Sequence, residues 1–154
     1  MSENFEVFPI GYVKRGNEVQ IQLEEKYKDA LLEVDNFSHL MVVWWGSKYA
    51  KYRDQVDMQM KPPYAPNVLT GLFATRSPVR PNPVNVTVCE IKKVNHQTGT
   101  VTVNQLDTFD GTPVLDLKMY FPTCDRVKDP KVPDRFKTWG EWVPPEGEAP
   151  ECYE

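Results

Sequence analysis

The sequence predicts a mainly β chain, a single-domain antiparallel barrel with one or two short helices and an irregular C-terminal segment. Three observations carry that expectation. Short segments of alternating apolar and polar residues recur along the chain, as half-buried strands require. Fourteen prolines and eight glycines interrupt 154 residues too often for long helices. One run, Ser38 to Trp45, is apolar throughout, which at this length fits a central strand buried on both faces. Evenly spaced antiparallel strands with few helices favour closure into a ring.

Taken in order, Phe8 to Val13 and Glu18 to Leu23 read as a hairpin turning at Arg15-Gly16-Asn17. From Glu24 to Val34, Tyr27, Ala30, Leu31 and Val34 recur at helical spacing, predicting a short amphipathic helix over one end of the barrel. After the central strand, Gly46 to Gln55 is a lysine-rich surface helix or loop, and Met58 to Pro66 a proline-rich connection. Trp44 and Trp45 point to opposite faces of their strand, so one of them at most lines a pocket. Val84, Val86 and Val88 share a face while Cys89 and Ile91 fall on the other, a phase change that a β-bulge near Val88 accounts for. His96 to Gly99 turns into the alternating strand Thr100 to Leu106, and Asp107 to Gly111 forms an acidic turn. In the last strand Leu115, Leu117 and Met119 share one face, Asp116 and Lys118 the other. Pro122 to Pro133 is a charged loop, followed by one or two helical turns over Asp134 to Trp142. Residues 1–143 are thus expected to form the domain, and 144–154 an acidic, proline-rich tail that is disordered or covered by a partner.

Bulk properties narrow the function classes. A chain of 154 residues can bury a core without staples. A net charge of −4 argues against a chain-wide electrostatic grip on nucleic acid, leaving only a local basic patch. Cys89, Cys124 and Cys152 are odd in number and lack ligand spacing, so neither a disulfide framework nor a metal site is expected, and a reducing cytoplasm fits. His39 and His96 have no second ligand nearby in sequence and read as structural. No apolar run reaches membrane length, and the start MSENFEVF lacks the parts of a signal peptide. Neither G-x-G-x-x-G nor a P-loop motif occurs.

The most unusual stretch is Gly71 to Val88, GLFATRSPVRPNPVNVTV, where Arg76 and Arg80 stand among Pro78, Pro81 and Pro83. Proline fixes its own φ and drives the preceding residue into extended geometry, so this is a stiff loop that presents polar side chains at little ordering cost. Its arginines suit a carboxylate or a phosphate, or else an ordinary surface ion pair. The second chemistry-bearing stretch is Asp107-Thr108-Phe109-Asp110-Gly111-Thr112. Its carboxylates can bind hydroxyls or an ammonium, and its free backbone groups can read an adenine edge, unless it is an ordinary Asp-rich turn.

Phe73 to Pro78 followed by Arg80-Pro81-Asn82-Pro83 resembles the signature of the TrmO-type (YaeB/VirR, TsaA-like) methyltransferases, and Asp107 with Asp110 to Asp116 resembles their second signature. Weaker likeness at Pro9-Ile10-Gly11, around Ala30-Leu31 and at Phe37 to Leu40 extends it over roughly Phe5 to Tyr120. The resemblance implies a homodimeric β-barrel that binds S-adenosylmethionine and N-methylates threonylcarbamoyl-adenosine beside the tRNA anticodon. It further implies cofactor contacts from Arg76, Ser47, Lys48, Val86, Asp107, Thr108, Phe109 and Asp110. Arg80, Asn82 and Lys118 stand on the substrate side, Asn82 also reading as a turn-former. Removing a proton from the acceptor nitrogen calls for a base, and Asp107 and Asp110 are the candidates.

The chain departs from the family where RNA would be gripped. The long basic insertion after the first strand is replaced by Lys14 to Glu18, Ile-Gly-Leu after Asn-Pro by Val84-Asn85-Val86, and Lys-Pro-Tyr by Lys118-Met119-Tyr120. A small-molecule acceptor on the same scaffold, or a cofactor- or RNA-binding module without catalysis, are the alternatives. Few phosphate contacts would make tRNA affinity only shallowly salt-dependent. The late aromatics Phe136, Trp139 and Trp142 are expected to be buried against a twofold partner.

Overall fold

The computed structural model describes residues 3–145. Gly11–Arg15 (β1) and Val19–Leu23 (β2) form the first hairpin, with Gly11 opposite Leu23 and Arg15 opposite Val19. His39–Trp45 (β3), Val84–Asn95 (β6), Thr100–Val103 (β7) and Pro113–Met119 (β8) complete a closed barrel in the order β1-β2-β7-β6-β3-β8. All its pairings are antiparallel, and the ring is shut by Gly11 against Val114 and Tyr12 against Pro113. Gln59–Met60 (β4) and Thr70–Gly71 (β5) make a separate two-stranded ribbon.

The interior follows from alternation. Val13, Ile21, Leu40, Val42, Val101 and Val114 are fully buried, one from each successive inward position of the strands that carry them. Because a closed sheet has only one dry face, β3 is not buried on both: Met41, Val43 and Trp45 point outward and are half-buried. In β6 the ladder to β3 runs unbroken from Val84 to Glu90, and the register shift falls between Ile91 and Lys93, opposite β7, not near Val88. Cys89 is inward, and its apolar surroundings push the thiol up to about 12, so it stays protonated and unreactive. In β8 a register shift opposite Val43 and Trp44 gives the inward place to Val114, separating Leu115 from Leu117 and Met119.

The expected helix after β2 is instead two 3₁₀ segments, Glu25–Leu31 and Val34–Asn36, interrupted by Glu33 at φ 70°. Tyr27, Leu31 and Val34 still pack on the core and cap the barrel, but Ala30, the fourth residue of the spacing, is exposed because a 3₁₀ segment does not keep the α-helical face. Ser47–Ala50 (α1) is one α-turn, followed by a 3₁₀ turn at Arg53–Gln55; Pro122–Asp125 (α2) is equally short. Among the described residues no helix is long and apolar enough to cross a membrane.

The late aromatics find partners within the chain. Phe136 and Trp139, on the 3₁₀ segment Asp134–Trp139, pack edge-to-face on each other at 4.6 Å and on Tyr64 at 5.7 and 5.2 Å, and are half-buried. Trp142 stays 68 % exposed with the Arg126 guanidinium over its ring. The expectation for the tail falls largely on residues 146–154, outside those described.

Gly11 is needed for closure. A Cβ there would run into the Gln22 carbonyl oxygen and come within 2.8 Å of Leu23 Cα, both backbone atoms of the adjacent strand. Gly11→Ala is expected to destabilise the fold by about 1–3 kcal/mol. An unchanged urea midpoint with an unchanged slope would show that the hairpin yields without cost.

Candidate functional site

The site begins with a mismatch in strand length. β7 ends at Val103 and pairs with β6 only over Ile91–Asn95, whereas β6 continues back to Val84 with β3 as its partner. Beside that first half of β6 lies a cleft of about 1000 Å³. It is bordered by the start of β6, by the end of β3 with Gly46 to Tyr49, by the proline loop and by the turn 107–112. Of the two tryptophans, Trp44 lines the cleft and donates its Nε1 hydrogen to Thr87 Oγ1 at 3.0 Å, while Trp45 faces outward beneath Arg53.

The proline loop is held by its own polar atoms. Thr75 Oγ1 donates to Leu72 O at 2.8 Å and accepts from Ser77 N at 3.2 Å, and Ser77 Oγ accepts from Val79 N at 3.3 Å. Arg80 Nη1 donates to Thr75 O and Ser77 O at 3.0 and 3.3 Å, and its guanidinium stands 5.7 Å from the Phe73 ring centroid. Arg80 therefore braces the loop. Arg76 differs: it is exposed in the cleft, and its one hydrogen bond among the described residues, to Val86 O, is 3.5 Å long.

The turn across the cleft is fixed from the first hairpin. Arg15 Nη1 donates to Leu106 O at 2.7 Å and Thr108 O at 3.0 Å, while the Arg15 backbone N–H donates to Asp110 Oδ1 at 2.8 Å. Thr112 Oγ1 closes the turn on Phe109 O at 2.7 Å, and Gly111 supplies the positive φ of 74° that the bend requires. Lys48 Nζ lies 3.4 Å from the Phe109 ring centroid, which brings α1 and the turn together over the cleft.

Two features mark the cleft chemically. Thr108 Oγ1 is buried and is the one fully buried side-chain oxygen or nitrogen among the described residues that has no hydrogen-bond partner. An orphaned hydroxyl of this kind costs about 1–3 kcal/mol, a cost that a ligand removes by bonding to it. Asp107 accepts no hydrogen bond among the described residues and stands in the same cleft as Lys48 and Arg76, so the cavity offers both signs of charge. A zwitterion carrying hydroxyls and a flat ring suits these partners.

Of the residues expected at a site, Ser47, Lys48, Arg76, Arg80, Val86, Asp107, Thr108, Phe109 and Asp110 all line the cleft. Asn82 and Lys118 do not. Asn82 Oδ1 accepts from Arg53 Nη2 at 2.9 Å, and Lys118 pairs with Asp116 at 2.7 Å, a bond that raises its pKa. His39 bonds Ser38 at 2.8 Å and His96 meets Asp35 at 3.2 Å; no metal-binding group of three or more side chains occurs among the described residues. Sequence reasoning missed Asn85 and Thr87, whose signal was polar character on the inward phase of a strand, and Thr75, which lies in the loop after the turn Leu72–Ala74; it also missed the Arg15 and Arg53 clamps, which have no local signal.

Comparison with known proteins follows the same outline. Residues 3–126 match the tRNA-methyltransferase O N-terminal domain. An S-adenosyl-L-methionine-binding protein of Archaeoglobus fulgidus is 37 % identical over 108 residues, covering 70 % of this chain and 73 % of that protein. The tRNA (adenine(37)-N6)-methyltransferase of Escherichia coli is 34 % identical over 125 residues, covering 77 % of this chain and 52 % of the enzyme. This chain therefore spans about half the length of that enzyme, and 29 % of a second, probable S-adenosyl-L-methionine-binding protein of Archaeoglobus. A crystal structure of TrmO from Pseudomonas aeruginosa superimposes with a TM-score of 0.62 over 84 % of this chain and 62 % of its own, at 24 % identity, a likeness of fold.

Proposed function

Because the chain belongs to the tRNA-methyltransferase O N-terminal domain family, we propose that it is an S-adenosylmethionine-dependent methyltransferase acting on tRNA. The observation that carries this reading is the buried, unpartnered Thr108 hydroxyl in a cleft bordered by both signature stretches. When bound, S-adenosylmethionine supplies an activated methyl group on a sulfonium centre. The chain's part is to hold and orient: Arg76 suits the methionyl carboxylate, and the Thr108 hydroxyl with the backbone of 107–111 suits ribose and adenine edges. Phe109 and Val86 offer apolar surface, and Ser47 and Lys48 border the same space. Asp107, with no internal partner among the described residues, would take the proton that the acceptor nitrogen loses.

The acceptor in this reading is the N6 nitrogen of threonylcarbamoyl-adenosine; the names of the Escherichia coli and mouse relatives give N6 of adenine 37 in tRNA, and the threonylcarbamoyl group follows from the sequence resemblance. Labelled cofactor incubated with tRNA that carries the threonylcarbamoyl group but not the methyl group should transfer label to the RNA. No transfer, alongside measured cofactor binding, would move the acceptor to a small molecule.

The same reading includes twofold assembly and a cytoplasmic setting. Val84 and Val86, 40 % and 43 % exposed, line the cleft, an apolar margin that a second copy would cover. The free thiols of Cys89 and Cys124 suit a reducing compartment. Light scattering with the cofactor present is expected to give a dimer; monomer alone at working concentrations would remove the assembly.

A further inference from the structure

The charge of this acidic chain is not evenly spread. Residues 36–89 hold six cations, Lys48, Lys51, Arg53, Lys61, Arg76 and Arg80, against two anions, Asp54 and Asp57. Taking these from the 18 Lys and Arg and 22 Asp and Glu of the whole chain leaves 12 cations against 20 anions elsewhere, so a stretch of net +4 sits in a remainder of net −8. Ion pairing follows the same division. Each pair among the described residues, such as Lys28 with Glu25 or Lys137 with Asp134, lies outside the stretch, and none of its six cations has a carboxylate partner there.

Five of the six rest on carbonyl oxygens or aromatic faces instead. Lys51 Nζ is 4.9 Å from the Tyr52 ring, and Arg53 is 5.5 Å from the Trp45 ring. Arg53 also donates to Pro81 O at 2.6 Å and to Asn82 Oδ1 at 2.9 Å, tying the segment after α1 to the end of the proline loop. Lys48, Arg76 and Arg80 are held on Phe109, Val86 O and the proline loop with Phe73. Lys51, Tyr52, Arg53 and Phe73 are exposed, and Tyr49 and Phe73 stand at the cleft margin.

Cations without a carboxylate in ion-pair contact, interleaved with aromatic rings, suit a polyanion whose flat groups are available for stacking, which is the chemistry of single-stranded RNA. We propose that this face docks the unpaired loop of the RNA substrate, with phosphates on Lys51 and Arg53 and a splayed base on Tyr52, leading the acceptor toward the cleft. The inference rests on the reading of the protein as a tRNA methyltransferase.

Lys51 and Tyr52 are exposed and do not line the cleft, which separates docking from cofactor binding. Binding of a short RNA hairpin with an adenine in its loop is followed by fluorescence anisotropy at several salt concentrations. The K51A/Y52A variant is expected to bind about tenfold more weakly, with the slope of log affinity against log salt reduced by about 0.7. Its affinity for S-adenosylmethionine, measured by calorimetry, stays at the wild-type value and reports that it is folded; should it not fold, the slope is read on Lys51→Gln alone. Lys14→Ala, which removes one charge outside the stretch, leaves RNA affinity within about twofold. Wild-type RNA affinity and slope in K51A/Y52A, or an equal loss in Lys14→Ala, overturns the docking face and leaves the methyltransferase reading standing. A wild-type protein that binds the cofactor but not the hairpin overturns both the face and RNA as acceptor. Crosslinking with thiouridine-substituted hairpin gives an independent check: crosslinks fall within 48–55 and 72–82, and crosslinks confined to other peptides overturn the assignment.

Discussion

Arg76→Ala is expected to weaken S-adenosylmethionine binding by about tenfold to more than a hundredfold. A charge-assisted contact to a ligand carboxylate contributes about 1.5–3 kcal/mol, and each 1.4 kcal/mol is about tenfold in affinity. The structure makes Arg76 the right arginine to test. Arg80 has its Nη1 on two loop carbonyls, so its removal would loosen the loop as well as any ligand contact. Among the described residues Arg76 has only the 3.5 Å contact to Val86 O to lose, so its removal reads ligand binding with little structural cost. Arg76→Lys keeps the charge but not the planar fork, and an intermediate affinity is expected from it. Calorimetry that finds Arg76→Ala equal to wild type would take the carboxylate away from this residue.

Asp107→Asn is expected to slow methyl transfer by about 10²–10⁴-fold, the usual range for loss of a positioned base. Its neighbour Asp110 makes the comparison informative. The Asp110 carboxylate accepts the Arg15 backbone N–H at 2.8 Å and so helps set the turn, whereas Asp107 has no such bond among the described residues. Single-turnover rates should therefore fall for Asp107→Asn with cofactor affinity nearly unchanged, and Asp110→Asn should act mainly through affinity and stability. The reverse split, with Asp107→Asn losing affinity and keeping its rate, would assign Asp107 to holding the cofactor's ammonium.

What the sequence made legible was whatever is written locally. Alternation found the strands, the spacing of Tyr27, Leu31 and Val34 found the cap, and the opposed directions of Trp44 and Trp45 were correctly assigned. The signature stretches drew attention to residues that the fold brings into one cleft, although they lie some thirty positions apart in the chain. What escaped depends on partners far away. Arg15 looked like a turn residue, because nothing near it announces that its guanidinium will meet carbonyls 91 and 93 residues later. Phe136 and Trp139 looked unpartnered for the same reason, Tyr64 being remote in sequence. The two register shifts, opposite Val43 and Trp44 in β8 and between Ile91 and Lys93 in β6, arise from fitting six strands into a ring, a global condition that no single strand states.

Ring closure also sets an order of events during synthesis. The first hairpin emerges with both outer edges open: β2 must wait for β7, and β1 for β8, whose Pro113 and Val114 arrive about a hundred residues after Tyr12 and Gly11. Pairings of such long sequence separation are entropically the last to form, and they make assembly slow compared with a fold of local contacts. A nascent chain stalled before Pro113 would thus carry a hairpin with exposed backbone donors and acceptors, the condition in which strands recruit the wrong neighbour.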